Sequence, residues 1–495
     1  MLGLNSPKWS FLLLLSIAAM VAAASAQRFK TLANFTGENG SAPFSPLVQG
    51  REGDLYGTTT QGGANSCIGQ QGCGTVFKIT SEGVLTTLYN FCAQPNCTDG
   101  ATPAAGLLLG VDGNFYGTTV TGTVFKITPS GVLTVLYRFC TQPGCPDGNG
   151  INGLIQANDG NFYGTTYYGG AQPQGVCSPG GQPGCGTIFK LTPEGTLTTL
   201  YSFCGETNCA DGSNPFANLV QGTDGDLYGL TTLGGTNCYP YGCGTVFKIT
   251  LGGTLTTLHS FSGGDGSGPT GALMPSSDGN FYGTTNFGGN TSCSVPGGCG
   301  TVFKMTRSGT VSTIYNFCAQ TNCIDGSGPN IGLAPLTEGT NQVLYGTTAG
   351  GGANDRGTVF MITPQGSLTT LHSFAANEGQ DPWAGVIQAT NGSFYGTTAF
   401  GGANNDGTVF NLSTGLKPFV AFVRSLGKVG STVQILGQGF KGTSAVSFNR
   451  TPATFTVRSN TFLTATVPTG ATTGFLTLIT PGGTLTSNVV FRVEP

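Results

Sequence analysis

An aspartate followed by glycine recurs at Asp99, Asp147, Asp211, Asp265 and Asp325, and Asp381 sits one position out of step later on. A carboxylate returning at one place in a repeat would build a ring of hard oxygen ligands. Such a ring suits Ca²⁺, or a cationic or hydroxyl-rich ligand. The same residues fit an Asx-turn, in which each side chain caps the backbone of its own loop, and recurrence in nearly every unit favours that structural reading. Ca²⁺ is the one cofactor these residues suggest.

Other chemistry is sparsely represented. Ser-His-acid catalysis needs a base beside the nucleophile, and the only histidines are His259 and His372. Both fill the repeat position that holds Tyr89, Tyr137, Tyr201 and Tyr315, which marks them as structural. Glycan cleavage needs two carboxylates within reach of one bond. The charged residues that break the repeat are Glu206, Asp355, Arg356, Glu378 and Asp406, scattered over several units without forming a pair. Tyr167, Tyr168, Tyr239, Tyr241 and Phe287 are loop aromatics suited to stacking on sugars or to packing within their loops.

The sixteen cysteines form eight close pairs: Cys67 with Cys73, Cys92 with Cys97, Cys140 with Cys145, Cys177 with Cys185, Cys204 with Cys209, Cys238 with Cys243, Cys293 with Cys299, and Cys318 with Cys323. Units that hold a single pair indicate that each pair closes on itself. Paired cysteines at this density belong to an oxidising compartment. Zinc is the alternative for two cysteine pairs, but isolated pairs and scarce histidine speak against it. In the chain-entropy model a loop this short gives roughly 2 kcal/mol per bridge.

These residues must be positioned by a repeat of about fifty residues. A Tyr-Gly-Thr-Thr-like segment begins at Tyr56, Tyr116, Tyr163, Tyr228, Tyr282, Tyr345 and Tyr395. Each is followed by Gly-Thr-Val/Ile-Phe, ending at Phe77, Phe125, Phe189, Phe247, Phe303, Phe360 and Phe410. Within a unit, turn residues separate four short apolar runs. Asp-Gly pairs such as Asp112-Gly113 fit a two-residue type I′ hairpin. Four antiparallel strands repeated radially predict an all-β fold, a seven-bladed β-propeller. Lys30–Phe35 matches a fourth strand alone, and the array ends at a third strand near Phe410. The N-terminal strand is therefore expected to close the ring. This phase puts every cysteine pair on one face, that of the long loops, where function usually resides.

Three segments follow. Residues 1–26 read as a secretory signal: Lys8, an apolar run from Phe11 to Ala19, then Ala24-Ser25-Ala26. Residues 27–415 hold the propeller, and 416–495 read as a small β-sandwich without cysteine. No later apolar stretch has the length of a membrane helix. Residues 27–416 carry 11 Lys and Arg against 21 Asp and Glu, whereas 417–495 carry 7 against 1. The basic segment is expected to meet an anionic envelope polymer or its own acidic ring. Export and the ring's negative charge disfavour nucleic acid.

The runs Asp-Gly-Asn-Phe-Tyr-Gly-Thr-Thr at 112–119 and Gly-Thr-Val-Phe-Lys-Ile-Thr at 74–80 resemble the Gloeo/Verruco (GloVer) tandem repeat of bacterial surface proteins. Gly427–Val433, Gly437-Gln438-Gly439-Phe440, Val446–Asn449 and Pro481–Thr484 resemble an IPT/TIG domain, an immunoglobulin-like fold. The first resemblance implies an extracellular location, often with a C-terminal anchor; here the chain ends at Pro495 with no apolar tail or sortase-type motif. It brings no catalytic residue set. The expectation is a secreted or cell-surface binding protein. Its partner would be an extracellular glycan, an envelope polymer or a protein, met on the long-loop face. A secreted carbohydrate-active enzyme is the alternative.

Overall fold

The computed structural model describes residues 27–494 apart from 68–70, 172–176, 178–183, 239–240, 292–296 and 330–334. The expected leader lies outside the described residues. Among those described, strands are joined by turns and loops, with three short 3₁₀ turns and no α-helix. Val48–Gln49, Leu55–Thr59, Thr75–Ile79 and Leu85–Asn90 form one antiparallel sheet in chain order. The same propeller-like blade returns unit by unit. The last of these sheets is completed differently. Val386–Gln388, Phe394–Thr398 and Thr408–Ser413 are joined by the N-terminal Arg28–Asn34, with Phe29 opposite Leu412 and Asn34 opposite Thr408.

The repeated residues each have one physical task. In the second strand, the tyrosine hydroxyl bonds the side chain of the preceding turn. It donates to an acid from Tyr116 to Asp112 at 2.9 Å, Tyr163 to Asp159 at 2.8 Å and Tyr228 to Asp224 at 2.8 Å, whereas Tyr345 and Tyr395 accept from Asn341 and Asn391. The following glycine leaves room for a ring. A Cβ on Gly117 would stand 2.4 Å from Cζ of Phe125. The first threonine ties adjacent blades, as when Thr118 donates to the carbonyl of Asn152 at 3.0 Å. The second meets the threonine of the third strand, Thr59 with Thr75 at 2.9 Å. The mid-strand lysines run out to the hairpin acids, Lys248 to Asp226 at 2.9 Å and Lys304 to Asp278 at 3.0 Å.

Blades are joined through phenylalanine. Phe91, at the end of a fourth strand, packs edge-on against Phe125 of the next blade at 5.2 Å. Phe139–Phe189, Phe203–Phe247, Phe261–Phe303, Phe317–Phe360 and Phe374–Phe410 repeat the contact at 4.9–5.3 Å. Phe35, from the N-terminal strand, makes it with Phe77 of the first blade at 5.1 Å. All of these rings except Phe139 are fully buried, and Phe139 is nearly so.

The Asp-Gly turns differ from the type I′ expectation. Only the glycine is left-handed, with φ near +86° at Gly113 and Gly160. Gly113 N–H bonds the carbonyl of Gly110, and Gly110 N–H bonds that of Asn114. The connection is a three-residue loop whose last member is left-handed. The aspartate is not at positive φ, and its carboxylate accepts from Asn114 N–H at 3.1 Å and from the tyrosine hydroxyl.

Residues 421–494 form a separate β unit. Two four-stranded sheets meet in one core that includes Ile435, Phe440, Val446, Phe448, Leu463 and Leu476. This unit lies against the short-turn side of the blades. Arg51 stacks over Phe462 at 4.8 Å and donates to the carbonyl of Val111 at 2.9 Å. Thr461 donates to the carbonyl of Arg51 at 2.7 Å, and Leu436 joins the core around Tyr56 and Phe115. The basic segment thus packs on the turns of the blades.

Two outcomes follow from this packing. Gly117→Ala drives a methyl group into Phe125 and Leu107, and the overpacking costs about 1–3 kcal/mol. Denaturant melts should show that loss, and a variant as stable as the parent would remove the steric role of the glycine. Deleting residues 27–36 bares the edge strand Thr408–Ser413. The truncated chain should melt lower and self-associate in light scattering; an unchanged monomer would refute the strand's closing role.

Candidate functional site

The aspartates of the crossover loops are placed first. Asp99, Asp211 and Asp325 are buried. Asp99 accepts from the Tyr89 hydroxyl at 2.8 Å and from the N–H groups of Ala93 and Gln94 at 2.9 and 3.2 Å. Asp211 does the same with Tyr201, Gly205 and Glu206, and Asp325 with Tyr315, Ala319 and Gln320. Asp147 receives Tyr137 and the Cys140 N–H, while Asp265 receives Ser262 and faces His259 at 2.8 Å. Burial, and then the bond to the carboxylate, raises the Tyr89, Tyr201 and Tyr315 hydroxyls well above the ordinary phenol range. They stay protonated and donate. These are the contacts of a loop cap.

Asp381 departs from the series. It sits at φ +55° immediately before Pro382, where other units place Ala42, Thr102 or Asn214. The capping position in that unit belongs to Glu378, which faces His372 at 3.2 Å. The sequence offset has a simple cause. His372, like His259, reaches its acid over six residues, whereas Tyr89, Tyr137, Tyr201 and Tyr315 reach theirs over ten. The longer side chain accompanies the longer loop with its own cysteine pair.

Seven of the expected disulfides join Cys67–Cys73, Cys92–Cys97, Cys140–Cys145, Cys177–Cys185, Cys204–Cys209, Cys238–Cys243 and Cys318–Cys323. Cys293 lies outside the described residues, as does Tyr239. The two staples of one blade touch, Cys67 Sγ lying 3.5 Å from Cys92 Sγ. All of these bridges stiffen loops on the side away from the basic C-terminal unit.

On that same long-loop side the blades leave an aromatic cleft of about 370 Å³. It is built at the start of the inner strands. Crossover prolines pack on a glycine of the preceding blade: a Cβ on Gly74 would lie 2.6 Å from Cδ of Pro103, and one on Gly357 would lie as close to Pro382. The residue after each proline is thereby held at the mouth of the array. It varies between blades, as Phe44, Ala104, Phe216, Thr270 and Trp383.

Phe44 and Trp383 pack with ring centroids 4.7 Å apart, and Phe400 stands 5.9 Å from Trp383. A second group forms from Tyr167, Tyr168 and Phe216, with Tyr167 lying 4.6 Å from Tyr168 and 5.7 Å from Phe216. Ala104, Val120 and Ile151 line the space along with them. That space exists because the Thr119–Thr123 connection is a tight turn, closed by Gly122 N–H on the Thr119 carbonyl, and because Ala104 is small. Asn152 is fixed by its amide, which donates to Thr165 Oγ1 at 2.9 Å and to the Pro215 carbonyl at 2.7 Å. Among the described residues that line the cleft, none is Asp, Glu, His, Lys or Arg. Asp381 is two residues from Trp383, and burial raises its carboxyl.

Of the aromatics singled out in sequence, Tyr167 and Tyr168 reach the cleft. Phe287 pairs with Ser267 in another loop, and Tyr241 is exposed elsewhere. Phe44, Phe216 and Trp383 were missed. Their signal was the variable position after the crossover proline, and Trp383 is the one tryptophan beyond the expected leader.

Blades of four antiparallel strands, strung on one repeat, define a propeller-like all-β protein. The model of the Gloeobacter/Verrucomicrobia repeat matches residues 19–177, 121–340 and 291–436, and the chain belongs to that family. No curated protein matches the sequence. Among solved structures, the chain is similar to a luciferin-regenerating enzyme at 13% identity and TM-score 0.41, over 79% of this chain and 97% of that one. It is also similar to the extracellular domain of a hybrid two-component system from B. thetaiotaomicron, at 13% identity and TM-score 0.48, over 92% and 52%. A gluconolactonase from Xanthomonas campestris matches at 14% identity and TM-score 0.36, over 80% and 92%. Likenesses this distant carry no argument about activity.

The caps predict a stability effect. Asp211→Ala strands a tyrosine hydroxyl and two N–H groups in a buried loop, a loss of about 1–3 kcal/mol. Asp211→Asn should lose less, and Ca²⁺ should not move the melting point of the parent. A Ca²⁺-dependent rise in melting that Asp211→Ala abolishes would instead make these carboxylates ligands.

Proposed function

We propose that this is an exported, non-enzymatic binding protein that takes an extracellular glycan or envelope polymer in the aromatic cleft. The carrying observation is the pair of aromatic groups, Phe44–Trp383 and Tyr167–Tyr168–Phe216, around a space without a charged lining, with Phe400 backing Trp383. Sugar rings present apolar C–H faces, and aromatic rings on a rigid scaffold cover such faces without ordering cost. The disulfides accord with an extracellular location. Among the described residues no helix is long and apolar enough to cross a membrane.

In this reading residues 1–26 are a leader, 27–415 a closed seven-bladed propeller and 416–495 an IPT/TIG-like, immunoglobulin-type module. Closure is supported by the N-terminal strand on Thr408–Ser413 and by the Phe35–Phe77 contact, which has the geometry of the other blade junctions. The module is supported by two sheets around one core.

A glycan hydrolase or lyase on the same face is the second reading. Asp381, raised by burial beside Trp383, is the observation that favours it. A lone carboxyl falls short of the two that glycoside hydrolysis uses.

Trp383 provides the test, since no other tryptophan follows the leader. Neutral oligosaccharides of glucose and of N-acetylglucosamine should shift its emission saturably, without new reducing ends. Phe44→Ala and Tyr168→Ala should each weaken binding about threefold to tenfold, the worth of one aromatic contact. Unchanged emission with every oligomer in the folded protein would end the proposal, and turnover would transfer it to the enzymatic reading.

A further inference from the structure

A second cavity lies on the opposite side, where the C-terminal unit meets the short turns. It measures about 640 Å³, within the roughly 300–1,000 Å³ of small-molecule sites. Three arginines from three elements share it: Arg307 on a blade turn, Arg424 at the start of the C-terminal unit, and Arg492 near its end. Each is fixed by one backbone carbonyl. Arg307 Nε donates to Gly279 at 3.1 Å, Arg424 Nη2 to Asn158, and Arg492 Nη1 to Thr223. A guanidinium has five N–H donors, so one such bond leaves most of each fork open to a ligand: Arg307 and Arg492 are exposed at the rim, and Arg424 is half-buried.

The charges are also unmatched. No Asp or Glu lines the cavity, and among the described residues none of the three arginines pairs with a carboxylate. The acids of the neighbouring turn, Asp224 and Asp226, are engaged by Lys248 at 3.9 and 2.9 Å. Arg424 Nε is buried without any hydrogen-bond partner, a state that costs free energy until an acceptor arrives. Like charges held in one cavity repel each other, and planar guanidinium forks match carboxylate and phosphate oxygens bidentately. The rest of the wall mixes apolar Phe422, Val489 and Val490 with polar Asn158, Thr473 and Asn488. That lining suits the faces and hydroxyls of a sugar.

We propose that this crevice binds a sugar carrying an oxyanion, a carboxylate or a phosphate. It is a site separate from the aromatic cleft. The basic C-terminal unit then contributes half of a binding site as well as a docking surface.

Calorimetry and thermal melting of the full mature chain test it, with glucuronate oligomers, glucose 6-phosphate, neutral glucose oligomers and inorganic phosphate as probes. A charged sugar should bind and raise the melting point, and the neutral oligomers should leave this site silent. Binding by the uronate alone or by the phosphate alone supports the site and identifies its source. Arg424→Gln and Arg492→Gln should each weaken the charged sugar tenfold or more, and added salt should weaken it further. Arg307→Gln alters the site from the blade side without touching the C-terminal unit, and should act likewise; protease resistance of the junction separates lost binding from lost docking. The Trp383 response to neutral sugars should be unaffected in all three variants. The proposal falls if no charged sugar binds, if the folded triple variant binds equally well, or if inorganic phosphate binds as tightly as the sugar phosphate.

Discussion

One packing event organises this protein: a phenylalanine ring of the third strand lies over a glycine of the second strand and meets a phenylalanine from the blade before. Phe125 occupies the space that a side chain on Gly117 would need, and receives Phe91 edge-on. A sheet of four short strands cannot bury both of its faces alone. Stacking each sheet against the next does so, and the ring-on-glycine fit sets how closely they approach. The Phe35–Phe77 contact shows what the arrangement demands of the chain ends. The strand that carries Phe35 must be supplied from the N-terminus, because the last blade has no fourth strand of its own.

Around this frame the two sides of the array are built by different physics. On one side the turns are tight, clamped by tyrosine to aspartate, and covered by the C-terminal unit through Arg51, Thr461 and Leu436. On the other, long crossovers carry buried acids as caps and disulfides as staples. The capping acid and its donor change together. A histidine serves the short crossovers and a tyrosine the long ones, because the side chain must span the loop it closes.

The repeat, its strands and the blades were legible in the sequence because they depend on local periodicity. The cysteine pairing was legible for the same reason, since each partner lies within eight residues of the other. The turn type was misjudged because Asp-Gly alone does not reveal a three-residue loop in which only the glycine is left-handed. Asp381 was placed in the acid series on its identity, whereas Glu378 fills that position through a contact with His372 that spacing did not disclose. The aromatic cleft was half visible. Tyr167 and Tyr168 stood out as a pair, while Phe44, Phe216 and Trp383 come from units far apart in the chain.

By itself the sequence determined most of the unit: which runs become strands, how the seven described cysteine pairs close, and where the acid sits in the units that use aspartate. These follow from side-chain period and short loops, which need only near neighbours. The tertiary structure decided what happens between units. It brought Trp383 to Phe44 across the join between the last blade and the first, and opened a cleft where the second blade's loop is short. It set three arginines from distant segments around one cavity. Such sites depend on which blades become neighbours and on where the C-terminal unit docks, and no local pattern encodes distances between units so far apart in the chain.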